Sequence, residues 1–144
     1  MNVETILKSK GRNTVTVAAD ATIAKAAELL RREMIGAVLV LDQSGALVGI
    51  LSERDIVHAL SEHGASVFGE PVSTVMTRKL LSCGREDTIN DLMARMTEAR
   101  IRHLPVLENG RLCGIVSIGD VVKYRLEEVE FEAGQLRDYV ATAG

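Results

Sequence analysis

Two stretches of the chain carry the same alternation of apolar and polar positions. After Thr22, the residues Ile23, Ala26, Ala27, Leu30 and Met34 fall at three- and four-residue steps, the spacing of one buried helix face. After Thr88, Ile89, Leu92, Met93 and Met96 do the same. A threonine at either start can accept an orphan amide of the first helical turn. Short apolar runs follow, "AVLVLD" from Ala37 and "HLPVLE" from His103, and these predict strands. "QSG" and "NG" then predict tight turns, because Gly45 and Gly110 tolerate positive φ. The return strands are "ALVGIL" and "RLCGIV", and each copy closes with a helix beginning at Ser52 or Ser117.

The copies align with one residue missing around Asn109, so that their offset falls from 66 (88 − 22) to 65 (117 − 52). A helix, a hairpin and a second helix make roughly 40 residues, too few for an independent core. Two copies packed together would share one. The predicted class is therefore α/β (α+β): two pseudo-twofold-related repeats, each a small sheet packed with two helices, plus a long C-terminal helix. The expected division is a first repeat with the N-terminal segment over 1–67, a second repeat over 68–128, and a helical extension over 129–144. Between the copies, "HGASVFGEPVSTVMTRK" has the Gly, Ser and Pro of a connector, with a short helix after Pro71. In the extension, Ile118, Val122, Leu126, Val129, Ala133, Leu136 and Val140 trace one apolar face, with Gly134 as a candidate break. Such a stripe calls for a partner surface, most simply a second copy of the chain.

Composition narrows the function. A net charge of −3 lacks the basic excess of a protein built around a phosphate backbone. The few aromatics, Phe68, Tyr124, Phe131 and Tyr139, argue against base-stacking platforms. Nucleic acid is therefore not an expected partner. Nor is a membrane, since no apolar run approaches the roughly 20 residues that span a bilayer. The N-terminus has no secretory pattern, and Cys83 and Cys113 lack any framework spacing, which fits a cytoplasmic chain with reduced thiols.

No catalytic residue stands out. There is no phosphate loop and no dinucleotide fingerprint. His58 and His63, five apart, do not make a metal pair on one helix face, so no metal is expected. Cys113, mid-strand, reads as a buried inert thiol. Met34, Met76, Met93 and Met96 read as core filler. An enzyme is not expected.

The chemistry lies in a phrase written twice, "GILSERD" from Gly49 and "GIVSIGD" from Gly114. Ser with an acidic residue three positions on resembles a capping box, and that alone could explain it. The same geometry also aims a helix N-terminus outward at a strand end. There, free amides and a hydroxyl can meet phosphate oxygens, while Asp can accept hydrogen bonds from a ribose diol.

Both copies resemble the CBS (cystathionine-β-synthase) domain, and the tandem resembles a CBS pair, or Bateman module, over about residues 3–128. "RIRHLPVLENGRLCGIVSIGDVVK" is close to the family's strongest signature, and "GALVGILSERDIV" is a second match. The resemblance implies two clefts related by an internal twofold that bind adenosine compounds: AMP, ADP, ATP, NAD(H) or S-adenosylmethionine. It implies no prosthetic group; the adenine nucleotide (AMP, ATP or NAD) is a regulatory ligand. Asp55 and Asp120 would hold ribose, with Ser52 and Ser117 near ribose or phosphate. One cleft would combine Ile50, Ser52, Arg54 and Asp55 with Leu81, Ile101 and Pro105. The other would combine Ile115, Ser117 and Asp120 with Val15, Ile35, Gly36 and Ala37. Arg102 and His103 fit phosphate contacts, as does Arg54. The first copy has Gly36-Ala37 where the second has Arg102-His103, so the clefts would not be equivalent. The function implied is a homodimeric nucleotide sensor signalling to an unidentified downstream protein; the alternative is a dimerisation scaffold without ligand.

Overall fold

The computed structural model describes residues 1–11 and 14–143, with the side chain of Ala143 set aside. Arg12 and Asn13 of the expected first repeat, and Gly144 of the extension, lie outside the described residues. The chain divides into two compact units. One joins the N-terminal segment to everything from Ser82 onward; the other is the stretch between, up to Leu81.

The unit ending at Leu81 holds the first repeat. Strand β1 (Thr16–Ala18) pairs in parallel with β2 (Ala37–Leu41), and β2 pairs antiparallel with β3 (Leu47–Ser52). Helix α2 (Ile23–Glu33) makes the crossover that a parallel pair requires, and α3 (Glu53–His63) follows β3. Thr22 caps α2 through its hydroxyl, as its position predicts. The core gathers Ile23, Ala26 and Leu30 from α2, Val38 and Val40 from β2, Leu51 from β3 and Ile56 and Ala59 from α3. The connector completes it: Val67 from a 3₁₀ segment at Ala65–Gly69 and Val72 from a single 3₁₀ turn at Val72–Thr74, which is the short helix expected after Pro71.

The other unit holds the second repeat, with α4 (Ile89–Ala99), the antiparallel pair β4 (His103–Glu108) and β5 (Arg111–Ser117), and α5 (Ile118–Ala143). A parallel bridge between Cys83 and Val106 stands where β1 stands in the first repeat. Helix α1 (Val3–Lys10) sits in this unit too, burying Val3, Ile6 and Leu7 in a core with Ile89, Leu92, Met96, Leu104, Val106, Val116, Val121 and Tyr124. Asn2 caps α1, and the Val3 amide donates to the Asp87 carbonyl. The residue absent from the second copy is found in the hairpin turn: Leu41 pairs with Leu47, whereas Leu107 pairs with Leu112. Gly45 (φ 85°), Asn109 (φ 51°) and Gly110 (φ 77°) adopt the positive φ that these turns need.

The glycine of the repeated phrase has a packing reason. A Cβ on Gly49 would stand 2.6 Å from the Met76 sulfur, and one on Gly114 would stand 2.7 Å from Leu7 Cδ2. The return strand of each repeat is thus pressed closely by the segment that precedes the other repeat in sequence.

Several expectations are corrected, beginning with the shared core: each unit has a buried core of its own, because helix α1 in one and the connector in the other add the apolar residues that a bare repeat lacks. Met34 is 88% exposed rather than core filler, because it ends α2 in the left-handed conformation, which turns its side chain away from the buried stripe. Met93 is half-exposed, since Ile89, Leu92 and Met96 already fill the inward face of α4. Met76 and Met96 are buried as expected. Cys113 is partly exposed and lies 4.0 Å from the Arg85 guanidinium instead of being enclosed. Cys83 is the buried thiol, and burial above all pushes its pKa up to about 12, with the Asp87 charge acting in the same direction. Gly134 does not break α5, because one glycine costs only about 1 kcal/mol against alanine in a run of good helix formers.

Candidate functional site

Each repeat delivers its Ser-x-x-Asp phrase where a strand turns into a helix. At the end of β3, Ser52 caps α3: the Asp55 amide donates to Ser52 Oγ at 3.1 Å, and the Ser52 amide donates to Asp55 Oδ2 at 2.9 Å. At the end of β5 the pattern recurs. The Asp120 amide donates to Ser117 Oγ at 3.2 Å, and the Ser117 amide donates to Asp120 Oδ2 at 2.9 Å. The capping role read from the sequence is therefore observed in both copies.

A third amide in each first turn is engaged by the neighbouring strand's entry. Glu53 donates to the Gly36 carbonyl at 3.0 Å, and Ile118 to the Arg102 carbonyl at 2.8 Å. A helix start leaves four amides without intrahelical partners. These bonds take three of them and leave that of Arg54 in α3, and of Gly119 in α5, outside the cap. They also fix Gly36 beside Ser52, and Arg102 beside Ser117. The strand register adds the rest: Ala37 lies opposite Ser52, His103 opposite Ser117, and Pro105 opposite Ile115.

Within the first repeat's unit, the structure thus brings together Gly36, Ala37, Ser52 and Asp55, with Arg54 exposed on the first turn of α3. Ile50 is half-buried on β3 and bridged to Thr77. Val15 and Ile35 pack partly buried against the core, and Leu81 is 40% exposed at the unit's end. Within the second repeat's unit it brings together Arg102, His103, Ser117 and Asp120. There Arg102 is exposed and His103 half-buried, Ile101 packs against the core, Ile115 is half-buried and Pro105 is buried.

Two residues that the sequence reading passed over touch the motif carboxylates. In the first unit the Thr77 hydroxyl lies 3.3 Å from Asp55 Oδ1 and 3.4 Å from Oδ2, long and shared contacts. In the second unit the Lys10 ammonium, at the last residue of α1, donates to Asp120 Oδ2 at 2.7 Å and to the Ile115 carbonyl at 3.0 Å. Thr77 follows a connector turn and Lys10 stands 110 positions from Asp120, so neither carries a local signal in the sequence. Burial raises the Asp120 pKa, but the Lys10 ammonium and the Ser117 donors outweigh it and hold the carboxyl below its ordinary value.

The two motifs therefore differ in electrostatics as well as in sequence. Asp55 meets a weakly placed hydroxyl; Asp120 meets a cation. Among the described residues, no group of three or more His, Cys, Asp or Glu side chains could hold a metal ion. No described helix is long and apolar enough to cross a membrane.

Comparison with known proteins agrees with this duplicated architecture. The CBS domain profile matches residues 7–62 and 72–127. The mitochondrial CBS domain-containing protein CBSX3 of Arabidopsis thaliana is 32% identical over 146 aligned positions, covering 96% of this chain and 71% of that protein. The crystal structure of the CBS-domain containing protein ATU1752 from Agrobacterium tumefaciens superposes with a TM-score of 0.84 at 48% identity, covering 86% of this chain and 92% of the other. The CBS domain pair of protein MJ0100, crystallised in complex with 5′-methylthioadenosine and S-adenosyl-L-methionine, superposes with a TM-score of 0.76 at 25% identity, covering 86% and 98%. CBS domains are regulatory modules, not catalytic ones. The chain belongs to the CBS-domain family and carries two copies of the domain in tandem, a Bateman module.

Proposed function

We propose that the chain is a regulatory module that binds an adenosine compound at its Ser-x-x-Asp motifs and signals occupancy through a homodimer. The observation that carries this reading is the duplicated strand-to-helix corner, where a serine hydroxyl, a carboxylate and one uncapped amide meet. A ribose offers two adjacent hydroxyls that donate to a carboxylate, and charge-assisted hydrogen bonds contribute about 1.5–3 kcal/mol each. Asp55 and Asp120 are the ribose acceptors. Ser52 and Ser117, with Arg54, Arg102 and His103, meet the ribose or phosphate. Adenine rests on aliphatic strand residues such as Ile50 and Ile115, which suits a chain poor in aromatics. The adenosyl ligands of the MJ0100 complex support this ligand class, which includes AMP, ATP and NAD.

The homodimer rests on α5. Val122, Leu126, Val129, Leu136 and Val140 are 45–63% exposed along that helix. A second copy would cover this stripe, and a shift in its packing would carry the signal to a downstream protein. Such a shift is bounded by the ligand's differential affinity for the two arrangements.

A scaffold without ligand is the second reading, favoured by the fact that both motif carboxylates already serve as caps. A thermal-shift series with AMP, ATP, NAD and S-adenosylmethionine separates the two. A ligand at 100 times its dissociation constant adds about 2.7 kcal/mol of stability and a clear rise in Tm. No rise with any of the four leaves the scaffold.

A further inference from the structure

Asp120 differs from Asp55 in what covers it. Three donors converge on Asp120 Oδ2: the Ser117 amide at 2.9 Å, the Ser117 hydroxyl at 3.1 Å and the Lys10 ammonium at 2.7 Å. A carboxylate oxygen has about two lone-pair directions, so this oxygen is fully engaged. A diol gripping both carboxylate oxygens must therefore displace one donor. The Ser117 amide is fixed by the helix start. The Ser117 hydroxyl can turn its hydrogen away, but its oxygen stays in place because it accepts from the Asp120 amide at 3.2 Å. Lys10 is the one charged donor that can withdraw altogether, because its stem is flexible and its side chain is 31% exposed.

What happens to the displaced ammonium decides which ligand succeeds. A neutral nucleoside takes the carboxylate and leaves Lys10 with the Ile115 carbonyl alone. A nucleotide takes the carboxylate and returns a phosphate to the ammonium, in a neighbourhood that already holds Arg102 and His103 beside Ser117. At Asp55 the partner is the Thr77 hydroxyl at 3.3 Å, and no such exchange of charge is required.

Resting on the ligand-binding reading above, we propose that Lys10 is the specificity-determining residue of the second motif: it holds Asp120 and yields it to a phosphorylated adenosine compound in preference to an unphosphorylated one. The second motif is thereby a nucleotide site, whereas among the described residues the first motif's carboxylate meets a hydroxyl and not a cation.

The test is isothermal titration of AMP and of 5′-methylthioadenosine into the full chain carrying Asp55→Ala, which silences the first motif. In that background AMP binds more tightly than 5′-methylthioadenosine. Adding Lys10→Met strengthens the neutral compound, weakens AMP and reduces their affinity ratio by about tenfold or more, the scale of one charge-assisted hydrogen bond. Lys10→Arg, which keeps the charge, retains the preference. An unchanged ratio in Lys10→Met overturns the inference. So does binding that vanishes with Asp55→Ala alone, although the ligand-sensing reading then survives on the first motif. Failure of the unmutated chain to bind either compound contradicts that reading itself, and the role of Lys10 with it.

Discussion

Each motif aspartate has two possible duties, and they can be told apart by titration and by mutation. Asp120 caps α5 and pairs with Lys10, and its pKa in the fold lies below the ordinary value near 4. A carboxylate with a depressed native pKa adds stability that is fully present above the unfolded pKa. That stability fades as pH falls through the native value. Urea unfolding of the wild type and of Asp120→Asn should therefore show a stability gap that is constant from pH 7 to about pH 5 and closes below about pH 4. A gap that stays unchanged below about pH 4 would mean that neither the Lys10 ion pair nor the Ser117 donors stabilise the charged carboxylate. The serine and aspartate were legible in the sequence as both cap and binding motif, because their spacing of three is itself the capping geometry. Lys10 and Thr77 were not legible. Each reaches its carboxylate through tertiary packing, and a lysine or threonine in isolation carries no mark of that.

At the level of elements, the repeat was readable where local chemistry dictates structure. Thr22 and Thr88 start helices, Gly45 and Gly110 turn hairpins, and the aliphatic runs between them are strands. β1 was not read, because three residues in "TVTVAA" give too short a pattern to separate from a loop. Met34 misled for a related reason: periodicity extends the apolar stripe to its position, but the helix has already ended in a left-handed turn. Helix α1 has the largest energetic consequence. Ile6 and Leu7 are at most 1% exposed in the core of the unit that holds the second repeat. Replacing a buried Ile or Leu with Ala costs about 2–5 kcal/mol. Leu7→Ala should therefore lower amide-exchange protection in β4 and β5, with β2 and β3 retaining theirs. Uniform loss across both repeats would contradict the assignment of α1 to that unit.

For the whole molecule, α5 is 26 residues long, and its apolar residues beyond Tyr124 lie largely in solvent. The proposed homodimer covers that stripe. Sedimentation equilibrium should show a dimer for the wild type and a monomer for the Leu126→Glu, Leu136→Glu double variant, with circular dichroism unchanged. A wild-type monomer at micromolar concentration would remove the dimer from the proposed function. Under the proposed function, the duplicated corner has a second use as a ligand site. That use turns on whether the aspartates do more than cap. Asparagine at the third helical position keeps one side-chain oxygen to accept the Ser52 or Ser117 amide but has no charge and one fewer acceptor oxygen, so it separates the two duties. The most direct measurement is calorimetric titration of AMP into the wild type and into the Asp55→Asn, Asp120→Asn double variant. The account predicts binding to the wild type and a loss of about tenfold or more in the variant, which remains folded. Equal affinity in both proteins, or no heat of binding in the wild type, would contradict it.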